Sequence, residues 1–478
     1  MTEKPLLLEL TTPNGHTYEQ RLGLFINTEF GQGTGAPITA MDPAYVVLSL
    51  QWIHHIVNKG STEIEIASVA AASLDDVDRA VKCARKALQS DAWKLLPGFE
   101  RGKLLLKLAD LMEHHKEVLA SVVPLRMLTV AGLPYTSALG EDVPGGIDAI
   151  RYFAGWADKM QGQALYPTPQ QLAYTLRQPI AVVAQIIHWN SPIMMAGWKL
   201  GPALAYGNAV VLKAAEQTPL SILLLARLVR EAGLPPSVVD LLNGRGAEAG
   251  AGHVEHPLVD RVTFTGSAAT ARNGHDRGGA HAQGRHAGDG RQVAAARLRR
   301  RGPGAGGQVG AGRRHGVLGP DLYVDESYPR RPEGVPREGA QMLAGGSACP
   351  VDGKGYFLQP TVLVDVEPSM AIYRDEISGP VGGGLLVRRR GGRRSRRPAT
   401  RTTGSARPSS RGTWSARTAW RRRSRRAWSG SIVARTATFA CPFGGVKQSG
   451  GIGRELGEAG LEAYTQVKAV HVNMGMML

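Results

Sequence analysis

Cysteine is the scarcest chemistry in this chain: three residues among 478, at positions 83, 349 and 441. So few thiols, so widely scattered, exclude a disulfide scaffold and fit a reducing compartment. Long apolar runs are missing as well. None approaches the roughly 18 residues that a membrane-spanning helix needs, and the most tempting stretch, Ala44 to Val57, carries His54 and His55. The opening Met1-Thr2-Glu3-Lys4 shows no signal-peptide or transit-peptide pattern. The expectation is a cytoplasmic protein with no membrane partner.

Negative charge is lacking in particular places. The chain has 57 Lys+Arg against 40 Asp+Glu, a formal charge of +17, which taken whole points to nucleic acid or an anionic surface. Yet residues 381–430 hold 16 Arg and no Lys, Asp or Glu, and residues 271–315 hold 10 Arg and 2 Asp. Everything else carries −7, so the bulk is mildly acidic and a nucleic-acid partner is not expected of it. The first block has almost no large apolar side chain, and residues 388–426 are mostly Arg, Ser, Thr, Gly and Trp without periodicity, compositions that cannot offset their own ordering entropy. Two origins stay open for them. They are basic linkers that bind a polyanion, or they are the product of a shifted reading frame in GC-rich coding DNA. The second is favoured, because ordinary text resumes cleanly at Gly319 and at Cys441.

What is present reads as α/β protein, with a length that suggests two to four domains. Asp75 to Leu88 places Val77, Ala80, Val81, Ala84 and Leu88 at helical spacing, and Glu100 to Val118 continues in that style. From Ile180 onward apolar runs and helices alternate: the run Ile180–Ile187, a helix over Trp198–Ala205, the run Ala209–Leu212 and a helix over Leu220–Glu231. Val238–Leu242 and Arg261–Thr265 are further strands. Thr218-Pro219 reads as an N-cap followed by proline at the first helical position. This alternation implies a parallel sheet with crossover helices.

Several segments resemble the NAD(P)-dependent aldehyde dehydrogenase family. They are Leu24–Asn27 with Glu29-Phe30, Tyr152–Lys159, Gln185–Pro192, Val211–Pro219, Phe264–Ser267, Tyr356–Thr361, Glu376–Val381 and Pro442–Gly450. Eight segments in the family's order, covering roughly two-thirds of the chain, make the resemblance specific. It implies an aldehyde dehydrogenase-like α/β fold. A discontinuous Rossmann-type NAD-binding domain would span 1–160 and 180–270, with an insertion at 44–60. A catalytic α/β domain would span 271–463, and a small β element for oligomerisation would span 161–179 and 464–478. In that element Tyr174–Gln178 and Val467–Asn473 would supply strands for a homodimer or homotetramer. The implied reaction is NAD-dependent oxidation of a small or medium aldehyde to the acid.

The site residues follow from the same likeness. Lys213 ends an apolar strand, so its ammonium should emerge where open parallel sheets bind ligands. On spacing alone, a surface Lys213/Glu216 pair opening a helix is an equal alternative. The resemblance makes Lys213 and Glu216 ribose contacts, and a carboxylate there repels a 2′-phosphate, favouring NAD over NADP. Gly266 and Ser267 would meet the pyrophosphate, and Glu376 the nicotinamide-side ribose. Trp189 falls beside the cofactor, although its residue type argues for packing. Asn190 is the oxyanion donor, and His188 stands where the family usually has proline. No metal is expected.

The family's nucleophilic cysteine and general-base glutamate are the decisive absences. No Cys occurs between Cys83 and Cys349, and its place falls at or near Val317. The base should lie in a Glu-Leu-Gly-Gly-Lys stretch after Gly266-Ser267, yet no Glu occurs from Ser267 to Leu322. The segments 44–60, 122–132, 271–315 and 384–436 depart from the family. The expected reading is therefore a family member with impaired activity, or else a catalytically dead relative or a corrupted coding sequence. Translating the DNA for 271–315 and 381–430 in the other two frames is expected to recover a Glu-Leu-Gly-Gly stretch and a Gly-Gln-x-Cys stretch. Finding neither would make the chain a true degenerate relative.

Overall fold

The computed structural model describes residues 6–11, 15–42, 64–122, 135–266, 270, 292–293, 339–347, 359, 361–367, 369–370, 381–383, 439–444 and 454–474. Its centre is a seven-stranded sheet. In spatial order the strands are Gln292–Val293, Arg261–Phe264, Val182–Ile186, Ala209–Lys213, Val239–Leu242, Leu24–Ile26 and Glu29–Gly31. The first five are mutually parallel, and the hairpin Leu24–Gly31 adds an antiparallel edge.

The sequence dictates this layering. Val182–Ile186 and Ala209–Lys213 are buried at every position, as strands covered on both faces must be. Val183, Ile187, Val210 and Leu212 point into a core shared with the helices Pro192–Ala205, Pro219–Ala232, Gly98–His114 and Val143–Ala154. Val182, Ala184, Ala209 and Val211 alternate to the other face, against the helix Leu74–Gln89. That helix begins at a capping box in which the Ser73 hydroxyl accepts from Asp75 and Asp76 N–H. The period of two decides which face each polar strand residue serves.

Some boundaries differ from the sequence expectation. The Glu100–Val118 pattern is two helices, Gly98–His114 and Lys116–Val122, broken at His115. The helix expected from Trp198 starts at Pro192, because proline suits the first helical position. Within it Gly197 lets two helices touch: a Cβ there would lie 2.4 Å from the Gly146 carbonyl oxygen. Thr218 precedes its helix as expected but does not cap it through its side chain. With ψ at 52° the residue is not extended, and its buried hydroxyl finds no partner among the described residues.

A separate three-stranded antiparallel sheet joins Ala164–Thr168, Gln171–Pro179 and Thr465–Asn473, with Tyr174 opposite Val470. It leaves Leu165, Tyr166, Tyr174, Leu176, Val467 and Val472 exposed. Asn208 ties this C-terminal region to the central sheet. Its side chain accepts from Ala181 N–H at 3.0 Å and donates to the carbonyls of Ala203 and Tyr464 at 2.9 and 3.1 Å. Ala181 sits at φ 115°, which such a fixed partner helps to hold.

Candidate active site

The chain's path creates a crevice before any functional side chain is considered. From Val182–Ile186 it steps one way to Ala209–Lys213 and Val239–Leu242, then returns to place Arg261–Phe264 on the opposite side. The order therefore reverses at Val182–Ile186. In open parallel sheets ligands bind outside the carboxyl ends of the strands at such a reversal. The segments emerging there are Ile187–Asn190 and Thr265-Gly266, held together as the Thr265 N–H donates to the Ile186 carbonyl at 3.0 Å. A Cβ on Gly266 would lie 2.5 Å from the Phe264 ring, so this turn is closed to larger residues.

One side of the crevice carries Lys213. It follows Ala209 and Val211 in alternation, so its side chain lies on the face of the small helix Ala251–Glu255. The ammonium is buried and donates to the Ala214 carbonyl at 3.0 Å. Burial pushes its pKa down to about 8, with the Glu216 carboxylate opposing. Glu216 is half-buried, and its Oε1 accepts the Gly246 N–H. Next to them Asn243 is buried, with neither Oδ1 nor Nδ2 partnered among the described residues. A buried cation with donors to spare, a carboxylate and an unpaired amide form the donor and acceptor set that sugar hydroxyls fit. The residues present therefore fit a dinucleotide's ribose.

The other side carries Asn190. Its backbone N–H donates to His188 Nδ1 at 3.3 Å, and its carbonyl accepts from the Ser191 hydroxyl at 2.7 Å. The Asn190 side chain is exposed and hydrogen-bonds His188. His188 is pushed down to about 4, mainly by burial, with Glu455 opposing and Lys199 adding. A neutral imidazole of that pKa is a poor general base near neutrality. Trp189 is buried.

Sequence reasoning missed three polar groups here. Lys199 is 2% exposed and donates to Glu455 Oε1 at 2.6 Å, while the Thr265 hydroxyl reaches the same oxygen at 3.4 Å. Glu455 precedes Leu456, which adopts φ 63° and ψ 165°, a region that costs on the order of 1–3 kcal/mol for a side-chain-bearing residue. The ion pair fastens that strained turn onto the sheet. A lysine inside an apolar helix was the available signal. Asp142 is the third: its carboxylate accepts the Met194 N–H at 2.8 Å, at the amino end of the helix that follows Asn190. Trp198, on the same helix, meets Phe443 edge-on at 5.5 Å between centroids.

Ser267, Glu376, Cys349 and the position near Val317 lie outside the described residues, as do 44–60, nearly all of 122–132 and most of both arginine-rich blocks. Cys83 lies half-buried on the helix Leu74–Gln89, and Cys441 is exposed in the turn before Phe443.

Known proteins share this architecture. A model of the aldehyde dehydrogenase family matches residues 53–285 and 332–383. It passes over 286–331 and stops where the second arginine-rich block begins. An aldehyde dehydrogenase of Aspergillus niger is 35% identical, over 98% of this chain and 99% of its own length. The mitochondrial aldehyde dehydrogenase of Mesocricetus auratus is 36% identical, over 87% and 91%. A Bacillus cereus aldehyde dehydrogenase, solved as an NAD+ complex, superposes with a TM-score of 0.76 at 30% identity, over 95% and 97%.

Asp142 gives this site a pH signature. Burial raises its pKa from 3.8 to about 7, although the Met194 and Ile193 N–H groups oppose the rise. A carboxyl raised on folding stabilises fully below its unfolded pKa, and that contribution is lost as pH rises through the folded value. The melting temperature of the unaltered protein, relative to Asp142→Asn, should therefore decline from about pH 4 to about pH 8. A pH-independent difference would show that the carboxyl is not perturbed.

Proposed function

This chain belongs to the aldehyde dehydrogenase family, and on that premise we propose that it retains dinucleotide binding while its aldehyde oxidation is impaired. The carrying observation is the crevice itself: Lys213 stands beside the strand-order reversal with its ammonium on the Ala214 carbonyl, and Glu216 follows it with Oε1 on the Gly246 N–H. Lys213 and Glu216 would hold the adenosine ribose, and Gly266 with Ser267 would face the pyrophosphate. Trp189 would back the cofactor from the core, and Glu376 would hold the second ribose. The carboxylate of Glu216 favours NAD over NADP. NAD, when bound, would supply the hydride acceptor.

The proposed reaction is oxidation of a small or medium aldehyde to its acid. Asn190 would donate its side-chain amide to the alkoxide formed on nucleophilic attack, with the reach set by the His188-fixed turn. A cysteine thiolate would normally make that attack, and a glutamate-activated water would release the acyl group. Neither residue stands at its place in the sequence. Cys83 lies half-buried on the helix Leu74–Gln89, packed against the core on one face of the sheet, so it offers no substitute. His188, neutral and buried, does not replace the base.

Domain division, assembly and compartment belong to the same proposal. The sheet of Gln171–Pro179 and Thr465–Asn473 would pair subunits into a dimer or tetramer, since clustered exposed apolar side chains mark such surfaces. Among the described residues no helix is long and apolar enough to cross a membrane, and the cysteine content supports a cytoplasmic protein.

Titrating NAD+ into the full chain should quench its tryptophan fluorescence saturably. Glu216→Ala, which removes the acceptor for two ribose hydroxyls, should weaken binding by roughly tenfold, the loss of about 1.4 kcal/mol. Lys213→Met should do the same. No saturable binding by the unaltered chain would refute the dinucleotide reading.

A further inference from the structure

Asn190 lies on a short link between two anchored pieces of chain. Ile187 before it donates its N–H to the Lys213 carbonyl at 3.3 Å, and the helix Pro192–Ala205 begins two residues after it. Within the link Asn190 is held by its neighbours. Its carbonyl accepts the Ser191 hydroxyl at 2.7 Å, and its N–H donates to His188 Nδ1 at 3.3 Å. The Asn190 side chain bonds the same imidazole. One ring thus meets both the backbone and the amide of the residue that would face the aldehyde oxygen.

The donor roles follow from the backbone bond. Nδ1 accepts an N–H, so it carries no proton. The ring is uncharged near neutrality, because burial pushes its pKa down to about 4 against the pull of Glu455. Its one proton therefore sits on Nε2. An Nε2–H only donates, and the one acceptor of a carboxamide is its oxygen. An amide held by its oxygen turns its NH2 the other way. An amide free to flip would present its oxygen as readily, and that oxygen would repel a developing alkoxide.

We propose that His188 is a positioning residue for Asn190: its Nε2–H holds the amide oxygen, so that the Nδ2 protons face the crevice as donors to a carbonyl oxygen. This rests on Asn190 being the group that meets the aldehyde. It goes beyond that reading in assigning which end of the amide is presented and which residue selects it. It requires no cysteine chemistry, since a carbonyl oxygen accepts the same donors before any bond forms.

The test is titration of the full chain, with NAD+ present, with dimethylaminocinnamaldehyde, whose absorbance moves to the red when its carbonyl accepts hydrogen bonds. The unaltered chain should bind it with a red shift. Asn190→Ala should lose that shift and weaken binding by roughly tenfold. His188→Ala should do nearly as much, while His188→Gln, whose amide supplies both a donor and an acceptor, should keep most of the shift. The double variant should be no weaker than Asn190→Ala alone, because His188 acts through Asn190. NAD+ affinity, measured separately, should change by less than about threefold in every variant. The proposal is overturned, with Asn190 left as the donor, if the shift survives His188→Ala, is lost equally in His188→Gln, or falls further in the double variant. A matching loss of NAD+ affinity in His188→Ala also overturns it, as the sign of a ring that only supports the fold. If the unaltered chain shows no shift, or Asn190→Ala keeps it, the reading of Asn190 fails and this proposal with it.

Discussion

The reversal of strand order at Val182–Ile186 is the constraint on which the rest of this molecule depends. A strand with parallel neighbours on both sides, reached by connections leaving in opposite directions, leaves its carboxyl end unroofed. Everything chemical in the described residues gathers at that edge. Lys213 ends the neighbouring strand on one side, and Thr265-Gly266 follows the strand on the other. Asn190 lies four residues beyond the central strand, at the start of the helix that Asp142 holds. The alternation of the pleat then divides the edge into two halves. Lys213 falls on the side of the helix Ala251–Glu255, whereas Gln185, bonded to the Lys199 carbonyl at 2.8 Å, falls on the side of Lys199 and Glu455.

The parts that were legible in the sequence share a physical cause. Strands buried on both faces leave uninterrupted apolar runs, and Val182–Ile186, Ala209–Lys213 and Val239–Leu242 could be read to within two residues. The place of Lys213 at the carboxyl end of the sheet was legible because it closes such a run. Lys199 and Asp142 were not. The partners of Lys199 and Asp142 lie 256 and 52 residues away, and no local pattern announces a contact between such distant positions. Thr218 shows the opposite failure, a capping residue in the right place with the wrong backbone angle for its hydroxyl to reach.

Charge and chemistry are missing together. The +17 of the chain resides in two arginine-rich blocks, and the first covers the interval where the family's glutamate belongs and approaches the place of its cysteine. The family match breaks off at residue 285, inside that block. A fold of this kind separates cofactor binding from bond making. In the proposed reading the ribose contacts would come from the parallel sheet, and the nucleophile's place falls in a later part of the chain. The arginine-rich blocks fall in the later part, and the first half keeps a packed core around Val210, Leu212 and Phe153.

Retained binding without thioester chemistry is the central claim, and rapid mixing of the NAD+-loaded full chain with acetaldehyde tests it most directly. The cysteine route produces a burst of NADH absorbance with one equivalent per active site, together with an acyl adduct visible in the intact protein mass. The account predicts NAD+ binding with no burst and no adduct. A stoichiometric burst with an acyl-cysteine would contradict it.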